Sequence, residues 1–360
     1  MAGRPGVVAV ARAAGVSPST VSNVFNRPHV VSEALRERVL SAAAELGYAG
    51  ADPRARQLRS GLTGAIGVVL RERLAYSFDD IAAVRLLQGV SSAADPEQLA
   101  LVIIPAYPEE ASSFAPAIRR AAVDGLILYS LVAEDPLVEA ARHRHLPTVV
   151  VDSPAPGEIG ATAAFDFVGI DERAAAESAV GHLVELGHRR LGVLSLRLSA
   201  EGVQGPADLD VQARASASVP RGRLQGAAAA AAAGGIAWAE VPVEQCLLSD
   251  EEHGRAAAHA LLDRAPQTTA LFALSDPLAL GALQAARERG LDIPRDLSVV
   301  GFDDSAPRHD GLTTVHQPLR DKGRVATERL LATLRGAARD SAPALLPTRL
   351  VVRESTAPPA

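Results

Sequence analysis

The sequence predicts a small all-α head of helix-turn-helix type followed by a two-lobed α/β body. Three observations carry this. Residues 7–29, VVAVARAAGVSPSTVSNVFNRPH, hold two helical periods separated by a glycine turn. From residue 64 onward, short β-branched runs alternate with Ala- and Leu-rich stretches, the pattern of parallel strands wrapped by helices. Charge divides in the same place: residues 1–63 hold eight arginines against four acidic residues, while the chain of 360 residues carries −6 overall.

In the head, Val8, Ala11 and Arg12 stand at helical spacing, Ala13 and Ala14 close the first helix, and Gly15 permits the sharp turn. Ser17 suits an N-cap, and Pro18 suits the first helical position, where a missing N–H costs nothing. The second helix then runs from about Pro18 to Phe25, with Val21 and Val24 on its buried side. Ser19, Thr20, Ser22, Asn23 and Asn26 are short and polar, and most face outward. Such side chains fit base edges and phosphates better than bulk solvent. An ordinary helical hairpin would share the spacing. Ser32 and Glu33 open a third helix with an apolar stripe of Leu35, Val39, Ala42 and Leu46, ended by Gly47. Asp52 to Gly61, DPRARQLRSG, reads as a helix of about two turns, too short to hold alone in water. It needs DNA, or a copy of itself, to be ordered. A basic head on an acidic body is the footprint of a DNA reader attached to something else.

In the body the strand candidates are Ile66–Leu70, Leu99–Ile104, Leu126–Tyr129, Thr148–Asp152, Leu191–Leu196, Leu271–Leu274 and Ser298–Phe302. Helices include Asp171–Leu186, Glu252–Leu262 and Pro277–Arg289. Continuous apolar runs such as VVV and LVII suit a sheet buried on both faces. About 300 residues exceed one such core, so two lobes are expected. Several strands end in polar residues: Asp152, Ser275-Asp276 and Asp303-Asp304. Ligands of open α/β sheets sit at such carboxyl ends, although each residue alone also suits a helix cap. Residues 199–221 show no period and read as a mobile loop or an inert surface insertion near the cleft mouth.

Residues 7–61 resemble the headpiece of the LacI/GalR family of bacterial repressors. The likeness rests on AGVSPSTVS, then FN, the Ser-Glu helix start, RERV, ELGY and ARQLRSG. It continues through GAIGVV (64–69), DGLIL (124–128), VVVD (149–152), ELGHRR (185–190), ALSDPLALGAL (273–283), DLSVVGFDD (296–304), LTTVHQPL (312–319) and LVVREST (350–356), nearly the whole chain. The resemblance implies a helix-turn-helix DNA-binding domain (1–50), a hinge helix and linker (51–63), and a periplasmic-binding-protein-like (type I) effector domain (64–360). Lobe 1 is expected at about 64–165 and 305–325, and lobe 2 at about 166–304 and 326–360.

The same resemblance implies which residues bind. Ser17, Pro18, Ser19, Thr20, Ser22, Asn23 and Asn26 would meet DNA, with Arg56 and Leu58 from the hinge; Leu58 would wedge into a minor-groove step. Many family members carry Arg where this chain has Asn23, which implies a shifted base preference toward adenine. Asp152 and Asp276 would form a carboxylate pair for vicinal hydroxyls, and Arg223 would offer a guanidinium fork. Tyr76, Ser77 and Phe78 fall where the family places a stacking aromatic, although the surrounding loop lacks the family's usual Asn-Pro-Phe-Phe form; Tyr129 and Ser130 would line the same cleft. The hinge spacing from Tyr48 to Leu58 is one residue longer than in the best-known members.

The expected function is a DNA-binding transcriptional regulator, a repressor. A small effector, most commonly a sugar in this family, would control its operator affinity from between the lobes. One helix-turn-helix reads half a site, so a homodimer on a near-palindromic operator in double-stranded DNA is expected. A sugar- or nucleoside-binding protein without a regulatory role would share the body. No export signal is evident at the N-terminus, and Cys246 stands alone, which fits a reducing cytoplasm. There is no phosphate-binding loop, no nucleophile elbow and no metal-spaced Cys/His set, so neither an enzyme nor a cofactor or metal is expected. No run approaches the roughly 20 apolar residues of a membrane span. Lys322 is the one lysine in a chain that otherwise uses arginine, which reads as coding bias.

Overall fold

The computed structural model describes residues 6–26, 28–48, 62–105, 111–158, 165–199, 202–305, 311–339 and 342–360, with the side chains of Asn26 and 111–114 left aside. It divides into two compact units, Met1–Gly64 and Ala65–Ala360. The expected hinge helix, with Arg56 and Leu58, lies outside the described residues.

The head is three helices, α1 (Val7–Ala13), α2 (Pro18–Asn26) and α3 (Glu33–Glu45). Ser17 caps α2 as its chemistry requires: its Oγ accepts from the Thr20 N–H at 3.1 Å. Gly15 takes φ +62°, the left-handed turn that a Cβ would strain. The shared core is Val10, Ala11 and Ala14 from the first helix and its end, Val21 and Val24 from α2, and Val39, Ala42 and Ala43 from α3. Phe25 and Tyr48 close it edge-to-face, centroids 5.5 Å apart. Two apolar positions that stand at helical spacing in the sequence fall outside the core. Val8 is exposed, because the buried stripe of α1 runs through Val10 and Ala14. Leu46 is the C-cap of α3 and is about one-third exposed (37%), and Ala43 takes its place four residues after Val39.

The body has thirteen described strands: β1 (Ala65–Leu70), β2 (Ala100–Pro105), β3 (Gly125–Tyr129), β4 (Thr148–Val151), β5 (Asp166–Gly169), β6 (Leu191–Ser195), β7 (Gly205–Pro206), β8 (Val243–Gln245), β9 (Ala270–Ala273), β10 (Ser298–Asp303), β11 (Thr313–His316), β12 (Ala344–Leu345) and β13 (Arg349–Val351). They form two sheets, ordered β12-β5-β4-β3-β1-β2 and β13-β11-β10-β9-β6-β8-β7. The first is parallel throughout. The second is parallel except where β13 and β7 add antiparallel edges.

Each sheet is covered on both faces, which is why its strands read as unbroken apolar runs. In lobe 1, Ile66 and Val68 of β1 pack with Leu86, Val90, Ala326 and Leu330 from the helices Ile81–Ala94 and Leu319–Leu334. Ala65 and Val69 face Ala115, Ile118 and Leu137 from the opposite layer. The two helices of the first layer touch through glycines. A Cβ on Gly89 would lie 1.9 Å from the Arg320 carbonyl oxygen, and one on Gly323 would lie 2.1 Å from that of Leu86. In lobe 2, the helices Glu172–Glu185 and Ser218–Ala233 cover one face, and Glu251–Arg264 and Asp276–Glu288 the other.

The lobes exchange chain differently from the expected bounds. Strand β5 belongs to lobe 1, and β11 to lobe 2. The helix Leu319–Leu334 returns to lobe 1, where it buries Ala326 and Leu330, and β12 follows it there. Among the described residues lobe 1 is therefore 65–169 and 319–345, and lobe 2 is 172–316 and 349–360. The chain crosses three times, after Gly169, after His316 and after Leu345. Apolar periodicity shows that the helix after His316 has a buried face, but not which sheet that face meets.

The aperiodic segment 199–221 is largely built into lobe 2. Gly205 and Pro206 pair with β8, Asp208 caps a short helix Leu209–Ala213, and Ser218 opens the next helix. Trp238 Nε1 donates to Gln212 at 2.9 Å and ties that helix down.

Candidate functional site

In the head, Ser17, Pro18 and Ser19 are exposed at the start of α2, and Thr20, Ser22 and Asn23 are half-exposed beside them. The hydroxyls cluster: Ser17 Oγ lies 2.7 Å from Ser19 Oγ and 2.8 Å from Thr20 Oγ1. Among the described residues the first turn of α2 holds no acidic side chain, so the positive end of the helix dipole is left for an anion. Asn26 ends the helix. Together, the cap chemistry and the Val21/Val24 stripe present one short polar face outward.

In the body, a cavity with about 170 Å³ open to water-sized molecules lies between the lobes. It is lined almost entirely from the carboxyl ends of strands. Lobe 1 contributes Arg71 and Glu72 after β1, Tyr76, Ser77 and Asp80 from the following turns, Tyr129 and Ser130 after β3, and Asp152 and Ser153 after β4. Lobe 2 contributes Arg197 after β6, Ser249 beyond β8, Ser275 after β9, and Asp303 and Ser305 at the end of β10, with Arg223 from the helix Ser218–Ala233. Ser130, Asp152 and Asp303 hold positive φ (57°, 65° and 112°), backbone strain concentrated at the cavity wall.

A polar chain runs beneath the cavity from one lobe to the other. Lys322 Nζ donates to Asp152 Oδ1 at 2.6 Å and to Gln317 Oε1. Gln317 Nε2 donates to Asp303 Oδ1, and Asp303 lies 3.6 Å from Arg223 Nη1. Arg223 in turn donates to Glu172 at 2.6 Å and to the Leu274 carbonyl, and lies 3.6 Å above the Phe302 ring. Lys322 is 0% exposed. The one lysine of the chain thus sits at the crossover between lobes, where its slender stem and point charge fit.

Further bonds join the lobes directly. Tyr76 Oη donates to the Ser249 carbonyl at 3.1 Å and accepts from the Ser249 N–H at 3.0 Å. Arg197 pairs with Glu72, Arg221 with Glu158, and Arg85 donates to the Ser305 carbonyl at 3.0 Å. Burial pushes the Asp80 carboxyl up to about 6, against the backbone N–H groups of Ala82 and Ala83 that it caps. Burial also raises Asp303 well above the carboxylate range, with Arg223 opposing the shift.

Of the expected cleft residues, Tyr76, Tyr129, Asp152 and Arg223 are brought together. Two are not. Phe78 is 58% exposed and lies in a different groove, with Leu87, Leu101 and Ile103. Helix Leu74–Asp79 explains this, since residues two apart on a helix point to nearly opposite sides. Asp276 is fully buried and does not line the cavity. Its Oδ2 accepts from the Ser305 N–H at 2.7 Å and its Oδ1 from Thr314 Oγ1 at 2.6 Å, so it braces β10 and β11. The expected Asp152–Asp276 pair is replaced by Asp152 with Asp303. Sequence reasoning marked Asp303 as a strand end but did not place it in the site, and it missed Asp80, Arg197 and Gln317; Arg197 and Gln317 carried the signal of a position just after a strand, and Asp80 that of an N-cap residue.

Among the described residues no group of three or more His, Cys, Asp or Glu side chains could hold a metal ion, and no helix is long and apolar enough to cross a membrane.

Comparisons with known proteins agree with this two-part architecture. Residues 9–50 match the family described as bacterial regulatory proteins, lacI family, and residues 180–356 match a periplasmic binding protein-like domain. The HTH-type transcriptional regulator IpsA of Corynebacterium glutamicum is 39% identical over 330 residues, covering 90% of each chain. A lac repressor dimer bound to operator and an anti-inducer superposes with TM-score 0.75 at 27% identity, covering 99% of this chain and 100% of that one. A complex of the regulator CelR with cellobiose gives TM-score 0.70 at 30% identity, covering 98% and 100%. With a relative of this identity matched over nine-tenths of both chains, the protein belongs to the LacI family of bacterial DNA-binding transcriptional regulators.

Proposed function

We propose that this regulator is a repressor that binds a near-palindromic operator in double-stranded DNA as a homodimer, and that a small sugar-like effector in the interlobe cavity sets its operator affinity. The observation that carries the reading is the cavity itself: lined by charged and hydroxyl side chains from both lobes beside apolar ones, spanned by bonds between lobes, and underlain by a hydrogen-bonded chain through the crossover. A molecule held there touches both lobes at once, so its binding energy differs between open and closed arrangements, which is what coupling to a second site requires. CelR with cellobiose and the lac repressor dimer on its operator supply the analogy for sugar and for two-fold DNA binding.

On the head, Ser17, Pro18, Ser19, Thr20, Ser22, Asn23 and Asn26 are the residues we assign to DNA. On the body, Tyr76, Tyr129, Asp152, Arg223 and Asp303 are assigned to the effector. The dimer contact is assigned to the outer side of lobe 1, where Phe78, Leu87, Leu101 and Ile103 form an apolar groove beside the edge strand β2. The cavity is assigned to binding rather than turnover, and the protein to the cytoplasm, where its operator would be.

The test is selection of duplexes from a random pool by the full chain, followed by titration at several salt concentrations. The expected result is a two-fold-symmetric site whose affinity falls steeply with salt. Binding with no preference for any symmetric sequence would overturn the regulator assignment and leave a ligand-binding body.

A further inference from the structure

We propose that residues 202–221 act as a clasp: an arm of lobe 2 that grips Glu158 of lobe 1, so that the lobes rest closed on the protein's own bonds rather than on those of a bound molecule. This holds whatever the cavity takes, and it stands apart from the DNA assignment.

The arm is the stretch whose sequence shows no period, and each of its parts is fastened to lobe 2. The Val203 carbonyl accepts from Gln245 Nε2, and Gln204 Oε1 accepts from the Leu247 N–H at 2.9 Å. Gly205 and Pro206 pair with β8, and the Ala207 N–H donates to the Val243 carbonyl at 2.9 Å. Gln212 donates back to the Ala207 carbonyl at 2.7 Å and accepts from Trp238 Nε1 at 2.9 Å. Ala207, Ala215 and Ala217 are buried. An arm anchored this way moves with lobe 2.

Its far end reaches across. Arg221 pairs with one Glu158 oxygen, and Ser218 Oγ donates to the other at 2.5 Å. That second oxygen also accepts from the Ala155 N–H at 2.8 Å. Glu158 ends a loop that leaves β4 through Ser153, and Pro154 and Pro156 limit the backbone freedom of that loop. On the other side, Arg221 is oriented by a bond inside the arm, from Nη1 to the Ala215 carbonyl at 2.9 Å. Both partners are thus set in place before they meet. Among the described residues the cation paired with Glu158 comes from lobe 2 alone, so its charge is answered only when the lobes are together.

The near end of the arm bears on a second tie. Gln204 holds Leu247, two residues before Ser249, whose backbone is bonded to Tyr76 of lobe 1. Tyr76 follows β1 and Glu158 follows β4, and one strand, β3, lies between those two. Neighbouring strands are about 4.8 Å apart, so the roots of the two gripped loops stand roughly 10 Å apart. Two separated ties hold a lobe against rocking as well as lifting. The Arg221 and Glu158 side chains are 30% and 23% exposed, so their contact adds little to folding, but a small free energy is enough to bias a balance between open and closed arrangements.

The experiment is hydrogen exchange, read by peptide mass on the full chain with nothing added. The reporter is the Ser249 amide, which donates to Tyr76 across the lobes at a distance from the clasp. Its exchange follows how often the lobes part. Glu158→Gln and Arg221→Gln are each expected to speed it about tenfold, the effect of taking one charged partner from a hydrogen-bonded contact. The double variant is expected to go no faster than the faster single, because both changes cut one contact. Arg295→Gln, which breaks an exposed pair inside lobe 2, is expected to leave the rate as it is. Emission from Trp238, the one tryptophan of the chain, is expected to stay constant, since the arm remains seated on lobe 2. An unchanged Ser249 rate in either folded variant overturns the proposal. So does a double variant whose effect is the product of the singles, or a shift in Trp238 emission, which places the change inside lobe 2. If Glu158→Gln does not fold, Arg221→Gln decides alone. Selection of a symmetric duplex is read separately, so the clasp can fail while the regulator assignment stands.

Discussion

Lys322→Met removes the charge at the lobe crossover while keeping an unbranched apolar stem of similar length. In the native protein, Lys322 Nζ is fully buried and shared between Asp152 and Gln317. Deleting one partner of such a pair leaves the other charge uncompensated and costs about 3–5 kcal/mol. Asp152 borders the cavity, so water can reach one of its oxygens, and the lower end of that range is expected. For a body of nearly 300 residues, a loss of about 3 kcal/mol lowers the melting temperature by roughly 5 °C. Pairing the change with Asp152→Asn removes the stranded charge and is expected to restore most of the loss, because a buried ion pair contributes little net stability over neutral groups of like volume. The assay is urea and thermal unfolding of the two single variants and the double variant, closed into a mutant cycle. A loss below about 1 kcal/mol for Lys322→Met, or a double variant no more stable than it, would refute the reasoning.

Three further outcomes are expected. Asp80 has a carboxyl raised from 3.8 to about 6 by burial, so the stability it contributes is present below pH 4 and is lost as pH rises through 6. Asp80→Asn keeps the cap acceptor and removes the charge; its stability relative to the parent should climb between pH 4 and 7 by up to about 3 kcal/mol, and parallel urea midpoints across that range would contradict this. Asn23→Arg should move the preferred base at one operator position from adenine toward guanine, with discrimination of about 1–3 kcal/mol, read by site selection; an identical logo would refute the contact. Phe78→Glu places a charge in the apolar groove of lobe 1 and should convert dimer to monomer in sedimentation, and an unchanged mass would remove that groove from the interface.

The sequence carried most of the fold, because the signals it used are local. Ser17, Pro18, Val21 and Val24 each act within one or two turns, and all four stand as the periodicity requires. The long apolar strands were legible for the same reason. Short strands were less so: β5, β7, β8, β11, β12 and β13, two to four residues long, were missed, and they become strands only by pairing with neighbours distant in sequence. The site shows the same divide. Strand ends marked Asp152 and, as a class, Asp303. Asp276 occupies the same kind of position, but its carboxylate is consumed by Ser305 and Thr314, a fact fixed by β11 and invisible in the local pattern. Phe78 was misplaced because a stretch read as loop is a helix, which turns its ring away from Tyr76.

A chain with one lysine has one ε-amine, and here that amine is sealed at the place where the lobes meet. Acylating reagents that seek amines therefore have a single internal target, which they reach only while the clamshell gapes. Without any engineered label, the rate of modification of Lys322, told apart from the N-terminus by peptide mass, becomes a clock for how often this protein opens and for how firmly a bound molecule holds it shut.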